Sequence, residues 1–173
     1  MLRYFILYIL TFLYLLIDLK TILVQLCKRS QLKYINMPSI AGTYQHYKNE
    51  NIDEYFSVVG VPYMGRKMMG LSSPQMVISV DGDQMTIKTA SMMRKTEYTF
   101  KLGEEYEEQM PNTIIKSVTK IQNDNEVITD SVIPDSGEKC GRQYLFTDDE
   151  CVITLTHDKA KVPAKRYFKR VTS

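Results

Sequence analysis

Met76-Val77-Ile78-Ser79-Val80-Asp81-Gly82-Asp83-Gln84-Met85-Thr86-Ile87-Lys88-Thr89 is the stretch on which the fold turns. Residues 76–80 are a β-prone, mostly apolar run, and 84–88 alternate polar and apolar side chains with the period of a half-buried strand. The Asp-Gly pair between the runs suits the left-handed backbone of a two-residue hairpin turn. A lone hairpin is marginally stable at best in water, so the rest of the chain must supply further strands. Alternating segments occur at 40–47, 95–102, 105–110, 113–121, 126–132, 142–146, 151–156 and 164–171. Gly103, Asn123-Asp124, Pro134 to Gly137, Asp148-Asp149 and His157-Asp158 punctuate them. About ten short strands at this spacing predict an all-β antiparallel barrel or sandwich.

Residues 51–71 break the alternation. Apolar side chains fall at 52, 55, 56 and 59 and again at 64, 68, 69 and 71, which is helical spacing. Asn51 is placed to cap the first helix, with Asp53 and Glu54 favourable in its first turn. Gly60-Val61-Pro62 separates it from a second helix. A helix pair inserted after the first strand of a barrel predicts a lid over one end.

The chain has 173 residues, three of them Cys, and a formal net charge of +2. Residues 1–36 hold five cations against one anion, so they carry +4 and the remainder carries −2. A mildly acidic body argues against nucleic acid as a partner. Three cysteines cannot build a disulfide framework, and odd thiols fit a reducing compartment. Cys140 and Cys151 flank a turn, but the residue opposite 151 should lie near 146, so no bridge between them is expected.

The first 36 residues form a hydrophobic, helix-prone extension. The run 4–17 is broken only by Thr11, and a second apolar run, 21–27, follows Asp18 and Lys20. Its length would span a bilayer, at the expense of burying Asp18 and Lys20. Three further readings stand beside an anchor: a secretory signal, a core helix, and an upstream extension preceding a start at Met37. The expected division is 1–36 extension and 37–173 barrel domain.

Gly42-Thr43-Tyr44, then Asn51-Ile52-Asp53-Glu54-Tyr55-Phe56, Val59-Gly60-Val61, Arg66-Lys67, Pro74 and the hairpin itself follow in this order. So do Lys95-Thr96-Glu97 and Phe100-Lys101-Leu102-Gly103-Glu104-Glu105-Tyr106. In this order and spacing they resemble the intracellular fatty-acid-binding proteins, the calycin-superfamily group that includes the cellular retinoid-binding proteins. The resemblance implies a ten-stranded up-and-down barrel of lipocalin type capped by a helix-turn-helix. It implies a cytoplasmic, monomeric carrier of long-chain fatty acids or related lipids, without catalysis, cofactor or metal, whose lid touches membranes transiently. A secreted or membrane-tethered lipid binder is the alternative if residues 1–36 act as signal or anchor.

Burying each methylene of a lipid tail is worth about 0.8 kcal/mol, whereas a buried carboxylate needs a cation and hydroxyls to meet it. The resemblance places that anchor on the last strand, with Arg166 at the family arginine and Phe168 at the family tyrosine. A one-residue slip would turn Lys165 and Tyr167 inward instead, and strand parity makes the two exclusive. Arg166 is preferred because its fork suits a carboxylate. At the second family arginine this chain has Tyr144. Arg142, two residues earlier on the same face, could substitute or be a solvated rim cation. Ile52, Phe56, Val61, Met69, Pro74, Thr89, Ser91, Met93, Ile153 and Leu155 match cavity or portal positions. His46 and His157 lack metal-ligand spacing, and Glu104-Glu105 and Glu107-Glu108 read as a solvated edge. The methionines at 64, 68, 69, 76, 85, 92 and 93 read either as adaptable lining or as ordinary core filling.

Overall fold

The computed structural model describes residues 40–92, 94–110 and 113–171. These lie in the second of the two units into which the chain divides, Met1–Met37 and Pro38–Ser173. The anchor, signal and extension readings of residues 1–36 lie outside the described residues. Ten strands run β1 (Gly42–Glu50), β2 (Gln75–Asp81), β3 (Gln84–Ala90), β4 (Lys95–Lys101), β5 (Glu105–Gln109), β6 (Ile114–Asn123), β7 (Glu126–Val132), β8 (Lys139–Phe146), β9 (Glu150–His157) and β10 (Ala164–Val171). Two helices, α1 (Ile52–Val58) and α2 (Tyr63–Leu71), sit between β1 and β2.

All pairings are antiparallel, in the order β4-β3-β2-β1-β10-β9-β8-β7-β6-β5. This is a meander bent into a nearly closed barrel whose first and last strands meet as neighbours. The seam lies between β4 and β5. There the Arg94 guanidinium and the Tyr98 hydroxyl each donate to the Gln109 carbonyl at 3.1 Å. Phe100 and Tyr106 stack across the seam with centroids 4.0 Å apart.

In the opening hairpin Asp81 lies opposite Gln84, so the two-residue loop is Gly82-Asp83, one residue on from the expected Asp-Gly pair, with Gly82 at φ 59°. A side chain would strain that backbone, which is why glycine stands there. β1 runs on to Glu50, three residues beyond the expected end, through a bulge between His46 and Lys48.

The last strand takes the Arg166 and Phe168 register. Arg166 is opposite Ile153 and Phe168 opposite Cys151, with Phe168 only 2% exposed. Tyr167 points outward, its hydroxyl donating to Glu50 at 2.8 Å. Cys151 lies opposite Phe146 and both Cys140 and Cys151 are free thiols, as their spacing on the hairpin requires.

Alternation on every strand sends one side-chain set inward. Tyr44, Ile78, Met85, Phe100, Val127, Phe146, Cys151 and Phe168 form one buried apolar cluster. A smaller cluster lies beneath the helices: Ile52, Tyr55 and Ala164, with Phe56, Val59, Leu155 and Ala160 against it. α1 is thus amphipathic as predicted. α2 buries no residue, and Met64, Met68 and Leu71 on it are exposed, as is Met92. Of the methionines, Met76 and Met85 are core.

Asn51 does not cap α1. It sits in the left-handed region at φ 54° and makes no capping bond. The chain reverses from strand to helix at this one residue, and its side-chain amide instead donates to the Val162 and Pro163 carbonyls, both at 3.2 Å. The helices are tied to each other through Asp53, which meets Arg66 at 3.2 Å and Lys67 at 3.5 Å. These exposed pairs are worth little individually.

Candidate functional site

A cavity of about 280 Å³ is lined by side chains from β2, β3, β4, β5, β8, β9 and β10. Three inward rows across β8, β9 and β10 define its depth. Phe146, Cys151 and Phe168 form the row at the closed end; Tyr144, Ile153 and Arg166 form the middle row. Arg142, Leu155 and Ala164 form the row toward the helices. Apolar lining comes from Met76, Ile87, Phe100, Met110, Ile153 and Phe168.

Two arginines enter this space and differ in their partners. Arg142 donates from Nη1 to Glu108 Oε2 at 2.9 Å and from Nη2 to Glu108 Oε1. The pair is bidentate, the geometry in which a guanidinium binds a carboxylate most strongly. Glu108 also accepts from the Ser117 hydroxyl at 2.7 Å, and Ser117 in turn meets Ser131 at 2.7 Å. Burial disfavours the Arg142 charge, but Tyr144 and Glu108 beside it offset this, and its pKa stands above the ordinary arginine value. Arg142 thus has an anionic partner of its own, with its side chain 25% exposed. Glu104, Glu105 and Glu107 are exposed as expected, but Glu108 is 2% exposed. The solvated-edge reading is corrected for that residue: alternation on β5 turns it in beside Tyr106.

Arg166 has no anionic partner among the described residues. Its Nε donates to Asn49 Oδ1 at 3.2 Å, its guanidinium lies 5.6 Å from the centre of the Phe168 ring, and its Nη2 is buried without a hydrogen bond. Burial lowers its pKa below the ordinary arginine value. A buried donor left unsatisfied costs free energy that an anion could recover. Tyr144, in the same row, is 4% exposed, and burial above all raises its phenol pKa, with nearby Arg142 opposing. The hydroxyl therefore stays protonated and can donate.

Of the residues expected at the site, the cavity wall brings together Arg142, Tyr144, Arg166, Phe168, Thr89 and Ile153. Ile52, Phe56 and Leu155 belong to the cluster under the helices. Val61, Met69, Pro74 and Ser91 do not line the cavity, and Met93 lies outside the described residues. The sequence reading missed Glu108, Tyr98, Tyr106 and Asn49. Strand parity could have found the first three. Asn49 could not be found that way, because parity assigns it to the outer face.

His46 is buried, 6% exposed, its Nε2 2.8 Å from Asn49 Oδ1 and its ring 5.3 Å from Phe168. Burial, above all, holds its pKa below the ordinary 6.5, with Arg166 acting in the same direction and the Asn49 bond opposing. The folded state thus prefers the neutral imidazole. The unfolded chain takes the proton first, so this contribution is complete above 6.5 and is lost as pH falls from there toward the folded value. The urea midpoint is expected to drop between about pH 7 and pH 5.5, and His46→Leu to flatten that drop. Equal pH slopes in the two proteins would exclude His46 as the source.

Among the described residues no helix is long and apolar enough to cross a membrane, and none group as a metal site. Residues 41–166 match the family described as the lipocalin / cytosolic fatty-acid binding protein family. Human cellular retinoic acid-binding protein 2 is 34% identical over 127 residues, covering 70% of this chain and 92% of the relative. The adipocyte fatty acid-binding protein of Pygoscelis papua is 33% identical over 129 residues, covering 75% and 95%. Among solved structures, a Schistosoma mansoni fatty acid binding protein in complex with arachidonic acid aligns with a TM-score of 0.71 at 27% identity, covering 79% of this chain and 99% of that one.

Proposed function

The chain belongs to the lipocalin / cytosolic fatty-acid binding protein family, and on that premise we propose that it binds and carries a long-chain lipid acid inside the barrel, in the cytoplasm. The observation that carries this reading is Arg166 on the cavity wall, whose Nη2 is buried with no hydrogen-bond partner. The carboxylate is assigned to Arg166, with the Tyr144 hydroxyl as second donor. Tyr144 restores the hydroxyl that Phe168 lacks. The tail lies along Met76, Ile87, Phe100, Met110 and Ile153, where each buried methylene contributes about 0.8 kcal/mol. Both fatty acids and retinoic acid fit this chemistry, a single carboxylate on an apolar body, and the names of the relatives support both. The role is carriage rather than catalysis.

The exposed apolar face of α2, with Tyr63, Met64, Met68 and Leu71, supports transient membrane contact by the helical lid during transfer. Arg66 and Lys67 share Asp53, so charge adds little there. The test is displacement of a bound fluorescent lipid from the full chain by hexadecanoate and by retinoic acid. Saturable one-to-one displacement by at least one of them is expected. Failure of both to displace it would overturn the reading.

A further inference from the structure

We infer that Asn49 is a positioning residue for acid recognition, holding the Arg166 guanidinium in place at the cavity wall, with His46 seating Asn49 in turn. This rests on Arg166 being the head-group anchor.

The bulge in β1 makes the arrangement possible. Tyr44 and His46 face inward, and strict alternation would send Lys48 and Glu50 inward and Asn49 out. The extra residue between His46 and Lys48 shifts the register, so that Lys48 lies opposite Tyr167 and Asn49 opposite Arg166. A bulge of this kind re-aims a side chain. Lys48 and Glu50 accordingly pair with each other on the outside, and Asn49 joins Arg166 on the inner face.

Three bonds then fix the Asn49 amide. An arginine Nε–H only donates, so the atom facing it is the amide oxygen, and His46 must place its Nε2 proton on that same oxygen. The Asn49 Nδ2 donates to the Gly70 carbonyl in the last turn of α2 at 3.4 Å. The Nε bond holds one edge of the guanidinium, whose carbon lies 5.6 Å from the centre of the Phe168 ring, in advance of any ligand, and Nη2 is left buried without a hydrogen bond. Pre-ordering of this kind lowers the entropy lost on binding.

The partner's charge matters as much as its position. Glu108 neutralises Arg142, whereas Asn49 orients Arg166 and leaves its charge unspent. The choice of amide or carboxylate therefore decides which arginine is open to an acid.

The test uses the full chain, titrated with hexadecanoate and with hexadecanol. Asn49→Asp is expected to neutralise Arg166 and lower hexadecanoate affinity by at least about tenfold, with hexadecanol changed by less than about twofold. Asn49→Ala should weaken the acid selectively but less. In the unaltered protein, the Asn49 side-chain amide resonances should shift on adding hexadecanoate and not on adding hexadecanol, a readout that needs no variant to fold. Equal losses for acid and alcohol, no loss in Asn49→Asp, or amide resonances indifferent to the acid would each overturn the assignment. An Arg166→Gln arm separates the two levels. Unchanged hexadecanoate affinity there removes the anchor itself. Lost acid preference there but not in Asn49→Asp removes only the positioning role.

Discussion

Arg166→Gln is expected to lower hexadecanoate affinity by about a hundredfold and to leave hexadecanol within about threefold. The acid loses its charged partner inside a site where charge is poorly screened, while the alcohol needs only a hydrogen bond that glutamine still offers. Stability should move the other way. Among the described residues the guanidinium bonds to Asn49 through Nε, and its Nη2 is buried with no partner. Burial already disfavours its charge. Removing it relieves that penalty, so the urea midpoint of Arg166→Gln should equal or exceed that of the unaltered protein. A binding site that costs stability until it is filled is a common trade in ligand carriers. Two measurements decide the matter, the ratio of acid to alcohol affinity and the unfolding midpoint. A variant that loses both ligands equally, or that unfolds more easily, would mark Arg166 as a structural residue.

Much of this could be read from residue order, because the governing signals are local. The hairpin at 76–89 announces its strands and the place of its turn, although the loop closes on Gly82-Asp83 and Asp81 joins the strand. The last strand has two possible parities, and the chemistry of its residues chooses between them: Phe168 and Arg166 turn inward, Tyr167 outward. What could not be read depends on departures from regularity or on distant partners. Nothing in Tyr44 to Glu50 signals an extra residue in the strand, so Asn49 belongs by alternation to the outer face, and only the bulge reverses it. Glu108 sits in a run of four acids that looks like a wet edge. Parity with Tyr106 turns it inward, but the reason a carboxylate is tolerated there, its pairing with Arg142 34 residues away, is not local. The N-cap at Asn51 fails for a related reason: a one-residue reversal from strand to helix forces a left-handed backbone and redirects the amide to the β9–β10 loop.

The Glu108–Arg142 pair should respond to mutation in the opposite sense from Arg166. Glu108 keeps 3% of its side chain exposed and Arg142 25%. Removing one member of a buried pair strands the other charge, at about 3–5 kcal/mol. Glu108→Gln and Arg142→Met are each expected to lower unfolding free energy by about 3 kcal/mol. The double variant should recover most of the loss, since no charge is then left uncompensated. Ser117 retains Ser131 as a partner in every variant, so the hydroxyl pair behind Glu108 does not confound the comparison. Binding supplies an independent signature. Glu108→Gln releases the Arg142 guanidinium into the same cavity as Arg166. Hexadecanoate should therefore stabilise that variant more than it stabilises the unaltered protein, because the acid can now satisfy either cation. Additive losses in the double variant would show that the two side chains act separately. An equal ligand-induced rise in midpoint for Glu108→Gln and the unaltered protein would show that Arg142 stays closed to acids for a reason other than Glu108.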